Sequence, residues 1–519
     1  MARAAARPIV VQKYGGTSVG SAERMLEVSN IVKSSLDHNR VIVVLSAMSS
    51  TKKAEGTTSR LLEAAKEVLK PNSQRYLDII DIIEEGHLKT VENAVTKGPA
   101  YDDVVRDVKA ECQRLRSFMS AAEVIDEISP RSRDVMISTG EKLSARIFAA
   151  LLQSQGVEAV YVNLDKLVEE QFDEKAIDQT FYDYLTNRLT DILGKCTDTQ
   201  VPIVTGYLGP VPGSILTTIG RGYTDLTAAL IAVGVKAQEV QIWKEVDGIF
   251  TADPRKAPKA RLLSSISPEE AAELTYYGSE VIHPFTMEQV IRASIPIRIK
   301  NAFKPEGNGT VIVPDGWRPP QHAESIEDFT PGGTRIPKPS AASLSTPPHH
   351  APTSHPNGFA EDDEKRPTAV TIKDNVIVLN VHSNRKSVSH GFFAHIFLAL
   401  DRYGIVVDLI STSEVHVSMA LSPNVKEVKL ERALIELRKY GTVDVIRNMA
   451  ILSLVGKQMR NMVGIAGLMF ETLAKHNVNI EMISQGASEI NISCVIEEES
   501  AQAALRAIHD ECILGEYVE

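Results

Sequence analysis

The sequence predicts an α/β protein whose mostly parallel central sheet is covered by helices, followed by two small α+β modules. Three observations carry that expectation. As far as residue 313, short apolar runs alternate with amphipathic stretches, the order of strands and helices in a parallel sheet covered on both faces. From 314 to 366 the composition turns to Pro, Ser and His with short charge runs, which cannot bury enough apolar surface to offset ordering. Beyond that stretch the chain repeats itself, with Gly391 to Ser411 aligning on Gly464 to Ser484.

The strand candidates are Ile9–Val11, Val41–Leu45, Ala159–Val162, Val201–Thr205, Glu239–Trp243 and Ile297–Ile299. Helices fall between them, including Glu141–Gln155 and Thr224–Gly234. Residues 52–135 read as a mostly helical excursion, with Leu77–Glu85 and Tyr101–Met119 among its helices. The domains are therefore 1–313, a disordered linker at 314–366, and two modules at 367–448 and 449–519. His349 and His350 lie in the linker, and its composition favours solvent exposure over metal binding. In the repeat, Phe397 falls on Phe470, Leu400 on Leu473 and Ile410 on Ile483. The second copy is short by one strand, whereas Ala369–Ile372 is spare in the first. That segment is expected to pair with the strand around Ile451–Leu454, interlocking the modules.

At 519 residues the chain is long enough for several cores, and 43% hydrophobic with 24% charged residues is a globular composition. A net charge of −11 argues against nucleic-acid binding. The four cysteines are scattered without metal-ligand spacing, and reduced thiols are expected. No apolar run is long enough for a bilayer, and basic Met1–Arg7 is too short for a transit peptide, so the cytoplasm is expected.

Lys13-Tyr-Gly-Gly-Thr-Ser-Val-Gly20 follows a buried strand and opens a helix. Such a turn presents backbone N–H groups beside a positive helix end and attracts phosphate. Gly15 and Gly16 admit close approach, and Lys13 adds a mobile cation; a plain tight turn is the alternative. Ser46 ends the strand Val43–Leu45, where ligands of parallel sheets sit, or else caps the next turn. Ser138-Thr-Gly-Glu141 places an acid that either opens a helix or binds an amino group. Gly220-Arg221-Gly-Tyr-Thr-Asp225 offers a guanidinium fork for a carboxylate or phosphate before a helix that starts with an acid.

Lys244-Glu-Val-Asp247-Gly248-Ile-Phe250-Thr-Ala-Asp253-Pro-Arg255 follows a strand and turns sharply. A base can lie on Phe250 while Lys244 and Arg255 meet phosphates. Lys300 and Lys304 again stand next to a glycine loop, and Tyr277-Gly278 and His283-Pro284 lie between. His283 reads as a structural histidine. No Walker loop, protein-kinase signature or dinucleotide fingerprint is present.

The ordered set resembles the aspartate kinases of the amino-acid kinase family, which have a three-layer αβα catalytic domain. It consists of Lys-Tyr-Gly-Gly-Thr-Ser-Val-Gly, Ser-Thr-Gly-Glu, Gly-Arg-Gly-Tyr-Thr-Asp, Glu-Val-Asp-Gly-Ile-Phe-Thr-Ala-Asp-Pro-Arg and Val-Ile-His-Pro. It covers about residues 8–313 and again 370–519, where the repeated modules resemble paired ACT domains. The resemblance implies transfer of the ATP γ-phosphoryl group to the β-carboxylate of L-aspartate, with Mg²⁺ bridging the phosphates. Under it Lys13 stabilises the transferring group and Asp225 organises Lys13. Glu141 holds the substrate ammonium, and Arg221 its α-carboxylate, with Ser46 and Thr51 nearby. Gly15, Gly16, Lys244, Phe250, Asp253 and Arg255, with Lys300 or Lys304, surround the nucleotide.

For the ACT pair the resemblance implies an amino-acid effector, threonine rather than lysine because the chain reads most like the fungal form. The matching positions are Ser389, Gly391, Phe392, Phe393 and Asp408; core packing is the alternative for the two phenylalanines. Exposed ACT strands imply a homo-oligomer, and no homoserine-dehydrogenase-like extension follows Glu519, so a single activity is expected. Competing readings are another amino-acid kinase of the same fold and a catalytically inactive amino-acid sensor.

Overall fold

The computed structural model describes residues 7–50, 55–173, 177–220, 222–276, 282, 284–314, 317, 366–383, 391–422, 425–486 and 490–515. Thr51, Arg221, Tyr277, Gly278, His283, His349, His350 and Ser389 lie outside them, as does nearly all of 314–366.

The first part runs β1 (Ile9–Tyr14), α1 (Ala22–Leu36), β2 (Arg40–Leu45), α2 (Thr57–Glu67), α3 (Arg75–Ala94), α4 (Pro99–Ile125) and α5 (Pro130–Ser154). It continues with β3 (Ala159–Val162), α6 (Gln179–Leu193), β4 (Val201–Thr205), α7 (Ile215–Thr218), α8 (Tyr223–Gly234) and β5 (Glu239–Lys244). It closes with β6 (Ser265–Ile266), α9 (Pro268–Tyr276), α10 (Pro284–Arg292), β7 (Ile297–Asn301) and β8 (Thr310–Ile312). The sheet order is β3-β4-β2-β1-β5-β7-β8-β6, parallel except where β7 meets β8. Every strand read from the sequence is present; β6 and β8, of two and three residues, are too short to show a pattern.

Strand alternation divides the core in two. Tyr14, Val43, Leu45 and Trp243 face α1 and α5, while Val11, Ile42, Val44 and Ile242 face α6 and α8. Burial on both sides explains the unbroken apolar run Val-Ile-Val-Val-Leu in β2. The α1 helix starts where the Ser21 hydroxyl accepts the Arg24 N–H, and Met25, Val28 and Val32 form its buried stripe.

The repeated region forms one six-stranded sheet rather than two. Its elements are β9 (Ala369–Ser383), α11 (Phe392–Arg402), β10 (Val407–Thr412), β11 (His416–Leu421), α12 (Glu427–Leu437), β12 (Gly441–Val455), α13 (Ile465–Lys475), β13 (Met482–Ser484), β14 (Asn491–Glu497) and α14 (Glu498–Ile508). The order is β10-β11-β9-β12-β14-β13. The two central strands run through both modules. Ile377–His382 of β9 pairs with β11, while Ala369–Lys373 pairs with Val455–Ile451 of β12. The spare strand of the first copy thus lies in the sheet of the second, and the expected boundary at 448/449 falls inside β12.

Both long strands carry an asparagine with positive φ where one module passes to the next, Asn375 (60°) and Asn448 (58°). The β9–β12 register shifts between Ile446 and Met449. Asparagine tolerates that conformation and lets each strand bend without ending. Asn375→Val or Asn448→Val is expected to destabilise the protein by roughly 1–2 kcal/mol, and the glycine variants by less. Urea unfolding followed by circular dichroism measures this; valine variants as stable as wild type contradict it.

Candidate active site

The candidate residues gather where the strand order reverses. β1 lies at the centre, the chain having wound outward to β2 on one side and β5 on the other, and ligands of such sheets bind outside the carboxyl ends of these strands. Lys13 is the penultimate residue of β1, and Ser46 directly follows β2. The turn Gly15–Gly20 is a single 3₁₀ turn over Gly16–Val19, laid against the loop after β2 through Ser49 N–H to the Gly16 carbonyl at 2.9 Å. A Cβ on Gly16 would collide with the Ala47 carbonyl oxygen, so that glycine is a packing requirement.

Lys13 Nζ stands 2.8 Å from Asp225 Oδ1, with both side chains nearly buried at 11% and 13% exposure. Asp225 lies in the first turn of α8, where the helix dipole favours a carboxylate. β1 and α8 thus present one cation and one anion to the same point.

Glu141 does not open a helix. It sits in the middle of α5, which begins at Pro130 behind the Ser129 cap, and it is fully buried. The Ser-Thr-Gly-Glu stretch resembles a capped turn, but its glycine serves close packing: a Cβ on Gly140 would lie 2.8 Å from Ala47 Cβ and 2.9 Å from Thr57 Cγ2. Glu141 Oε1 accepts the Thr224 hydroxyl at 3.1 Å, and Thr224 Oγ1 lies 3.5 Å from Ser46 Oγ. The Ser144 hydroxyl donates to the Ser46 carbonyl at 2.7 Å, fastening α5 to the end of β2. Glu141 Oε2 has no hydrogen-bond partner among the described residues. Burial pushes the Glu141 carboxyl up to about 8, against the opposing pull of Tyr223, Thr224 and the Lys13 ammonium. The site therefore holds a desolvated acid with one oxygen unmatched, the environment a substrate ammonium would satisfy.

On the β5 side, Lys244 ends its strand and the following residues turn back over β8. Asn301 Nδ2 donates to Asp247 at 2.7 Å, and the Ile249 N–H to Thr310 Oγ1 at 2.8 Å. Gly248, with φ of 153°, has no room for a side chain beside Thr310. Phe250 is half-buried and bridges to Leu262. Arg255 is exposed and grips Asp253 through Nε (3.0 Å) and Nη2 (2.8 Å), holding that carboxyl below its ordinary value. Lys244, Phe250, Asp253 and Arg255 thus follow one another along the turn after β5, with Asp253 and Arg255 in direct contact.

Of the two other lysines, Lys300 is turned away from it. The register Tyr14–Trp243–Lys300 puts Lys300 on the α1 face, with its ammonium 4.9 Å from the centre of the Trp243 ring. Lys13 shares the opposite face with Ile242 and Ile299. Lys304 is exposed in the loop after β7. Strand parity, invisible without the register, excludes Lys300 from the Lys13 side.

In the first module Gly391 caps α11 with φ of 89°, Phe392 packs into the module core and Phe393 is part-exposed. The Asp408 side chain, 2% exposed, pairs with Lys373 at 2.7 Å and bonds to Tyr276 of α9. It is thereby engaged with the catalytic domain rather than left open for an effector.

A family model for the amino acid kinase family matches residues 8–301, and one for the ACT domain matches 452–512. Aspartokinases of Candida albicans and Schizosaccharomyces pombe are each 49% identical over 98% and 97% of this chain and 90% and 92% of their own. The chain belongs to the aspartokinase branch of the amino acid kinase family. Aspartokinase III of E. coli, solved with aspartate and ADP, superposes with a TM-score of 0.70 at 26% identity, covering 97% of this chain and 99% of that one. The same enzyme with lysine and aspartate gives 0.72.

Within this amino acid kinase, sequence reasoning missed Asp134, Thr224 and Tyr223. Asp134, buried on α5 two turns before Glu141, accepts the Ser214 hydroxyl at 2.7 Å and the Ile215 N–H at 2.6 Å, pinning the start of α7. The signal was a polar stripe, Asp134, Ser138, Glu141 and Ser144, at helical spacing.

A folded-state value raised from 4.5 to about 8 fixes the sign of one effect. The stability of the neutral Glu141 acid is present below pH 4.5 and is lost as pH rises through 8, at about 1.4 kcal/mol per pH unit in between. The Tm advantage of Glu141→Gln over wild type is expected to grow from pH 5 to 8 and then level off; a pH-independent difference contradicts the burial argument.

Proposed function

We propose that the chain catalyses transfer of the ATP γ-phosphoryl group to the β-carboxylate of L-aspartate, giving 4-phospho-L-aspartate and ADP. The observation that carries the reading is the buried Lys13–Asp225 pair at the strand ends, beside a desolvated acid with an unmatched oxygen. The relatives agree with it: those from the two yeasts are aspartokinases, and the E. coli structure holds aspartate and ADP.

The reaction needs no strong base, because a carboxylate is a nucleophile at pH 7. The barrier is the approach of two anions. In this reading Lys13 meets the phosphoryl oxygens as charge develops, and Asp225 holds the ammonium where it is needed. The positive ends of α1 and α8 add to that field. Glu141 takes the substrate ammonium, Ser46 lies against the substrate, and Arg221 clamps the α-carboxylate. The corner of Lys244, Phe250, Asp253 and Arg255 takes the nucleotide, with Gly15 and Gly16 against its phosphates. Mg²⁺, bound with ATP, neutralises charge on the β- and γ-phosphates.

The decisive assay is hydroxylamine trapping of the acyl phosphate with aspartate and MgATP. A hydroxamate formed with aspartate and not with glutamate supports the reading, and none with aspartate overturns it. Repeating the assay with threonine and with lysine tests an effector at the C-terminal modules, threonine being our reading. A homo-oligomer built through module strands and a cytoplasmic setting complete the proposal. The exposed Ile410 on edge strand β10 and Ile483 on β13 support the first. For the second, no helix among the described residues is long and apolar enough to cross a membrane.

Lys13→Ala is expected to lower kcat by roughly 10²–10³ with the aspartate KM little changed, the size of one lost transition-state donor. Near-normal turnover contradicts the role. Because Glu141 is largely protonated at pH 7 and an ammonium favours its ionised form, aspartate binding at pH 7 is expected to release close to one proton. Calorimetry in phosphate and in Tris, whose ionisation heats differ, measures it. Glu141→Gln should abolish the buffer difference, and no difference in wild type contradicts the assignment.

A further inference from the structure

The corner from Asp247 to Arg255 is not shaped by the catalytic sheet alone. At its centre Thr251 donates its N–H to the Arg261 carbonyl at 2.9 Å, and its own carbonyl accepts the Val370 N–H of β9 at 2.8 Å. Its hydroxyl oxygen accepts the Arg261 N–H at 3.0 Å and lies 2.9 Å from His509 Nε2. His509 is fully buried and opens the π-helical turn His509–Ile513 in which α14 ends. Its Nδ1 faces Asp510 at 3.4 Å, so the proton belongs on Nδ1, and Nε2 is the acceptor for the Thr251 hydroxyl proton. Arg506 lies three residues earlier on the same helix face, and its Nε donates to the Lys256 carbonyl at 2.6 Å. Lys256 in turn pairs with Asp374 of β9 at 2.7 Å. Ala252 and Ala257 are buried in the second module's core beside Leu452, Ile508 and Cys512. Corner and module are one packed unit.

We propose that His509 and Arg506 are positioning residues for phosphoryl transfer: the C-terminal module supplies the hydrogen bonds that give the nucleotide corner its shape. The proposal rests on reading that corner as the nucleotide side of the site. Neither residue touches substrate. Each acts through the backbone between Phe250 and Lys256, and a hydroxyl–imidazole bond between two buried side chains transmits a small displacement directly.

The test uses the full chain, with ADP binding by calorimetry and separate KM values for ATP and aspartate. His509→Ala is expected to weaken ADP and raise the ATP KM roughly five- to fifty-fold, the effect of one lost buried hydrogen bond, with the aspartate KM little changed. Thr251→Val, altered on the catalytic side, should reproduce the loss, and the double variant should add nothing to it. His509→Gln, whose carbonyl oxygen can take the same proton, should recover most of it. Should His509→Ala fail to fold, Thr251→Val answers alone. Lys244→Ala separates the two levels of the argument. If it weakens ADP while Thr251→Val and a folded His509→Ala do not, the positioning role falls and the nucleotide corner stands. If Lys244→Ala leaves ADP affinity unchanged, the corner itself is misassigned and the proposal falls with it.

Discussion

The ion pair between Lys13 and Asp225 is the contact on which the remaining architecture converges. Phosphorylating a carboxylate means pressing one anion against another, and a cation at the right place relieves that repulsion most in a site screened from water. An unpaired ammonium so nearly buried would be costly, and Asp225 offsets that cost. β1, flanked by parallel strands on both sides, fixes one partner. α8, buried almost all round, fixes the other. Glu141 then completes a site whose polar groups are in place before any ligand arrives. Its helix can approach because residue 140 is glycine.

The C-terminal region is joined to that site more closely than the word linker suggests. β9 emerges beside the turn after β5, pairs with the second module, bends at Asn375 and goes on into the first. Glu270 shows the same economy at α9: one carboxylate oxygen caps the helix through the Ser267 N–H, and the other accepts the Thr368 hydroxyl and the Lys457 N–H. A carboxylate that both starts a catalytic-domain helix and grips the module leaves little slack between the two. Asp408, bonded to Tyr276 and Lys373, adds a contact from the first module.

Much of this was legible in the sequence because it rests on local rules. Apolar runs ending in Lys13, Ser46 and Lys244 marked strand ends, and glycines marked the turn that follows β1. The missing strand of the second repeat pointed to Ala369–Ile372 as its partner. What was not legible depended on register and long-range packing. Glu141 looked like a helix start because Gly140 resembles a turn residue, whereas it is a close-packing residue in mid-helix. Lys300 looked equivalent to Lys304 until pairing with Trp243 fixed which face it occupies. Asp408 looked available because nothing local reveals Lys373 and Tyr276. Asn375 and Asn448 carry the residue type of turns but lie within continuous strands.

The central claim is that Lys13 and Asp225 act as one unit on the transferring phosphoryl group. A double-mutant cycle on kcat with Lys13→Ala and Asp225→Ala, in the presence of saturating aspartate and MgATP, tests it most directly. The account predicts strong non-additivity, the double variant being no slower than the slower single one. Additive losses, each mutation costing the same with or without the other, would contradict it.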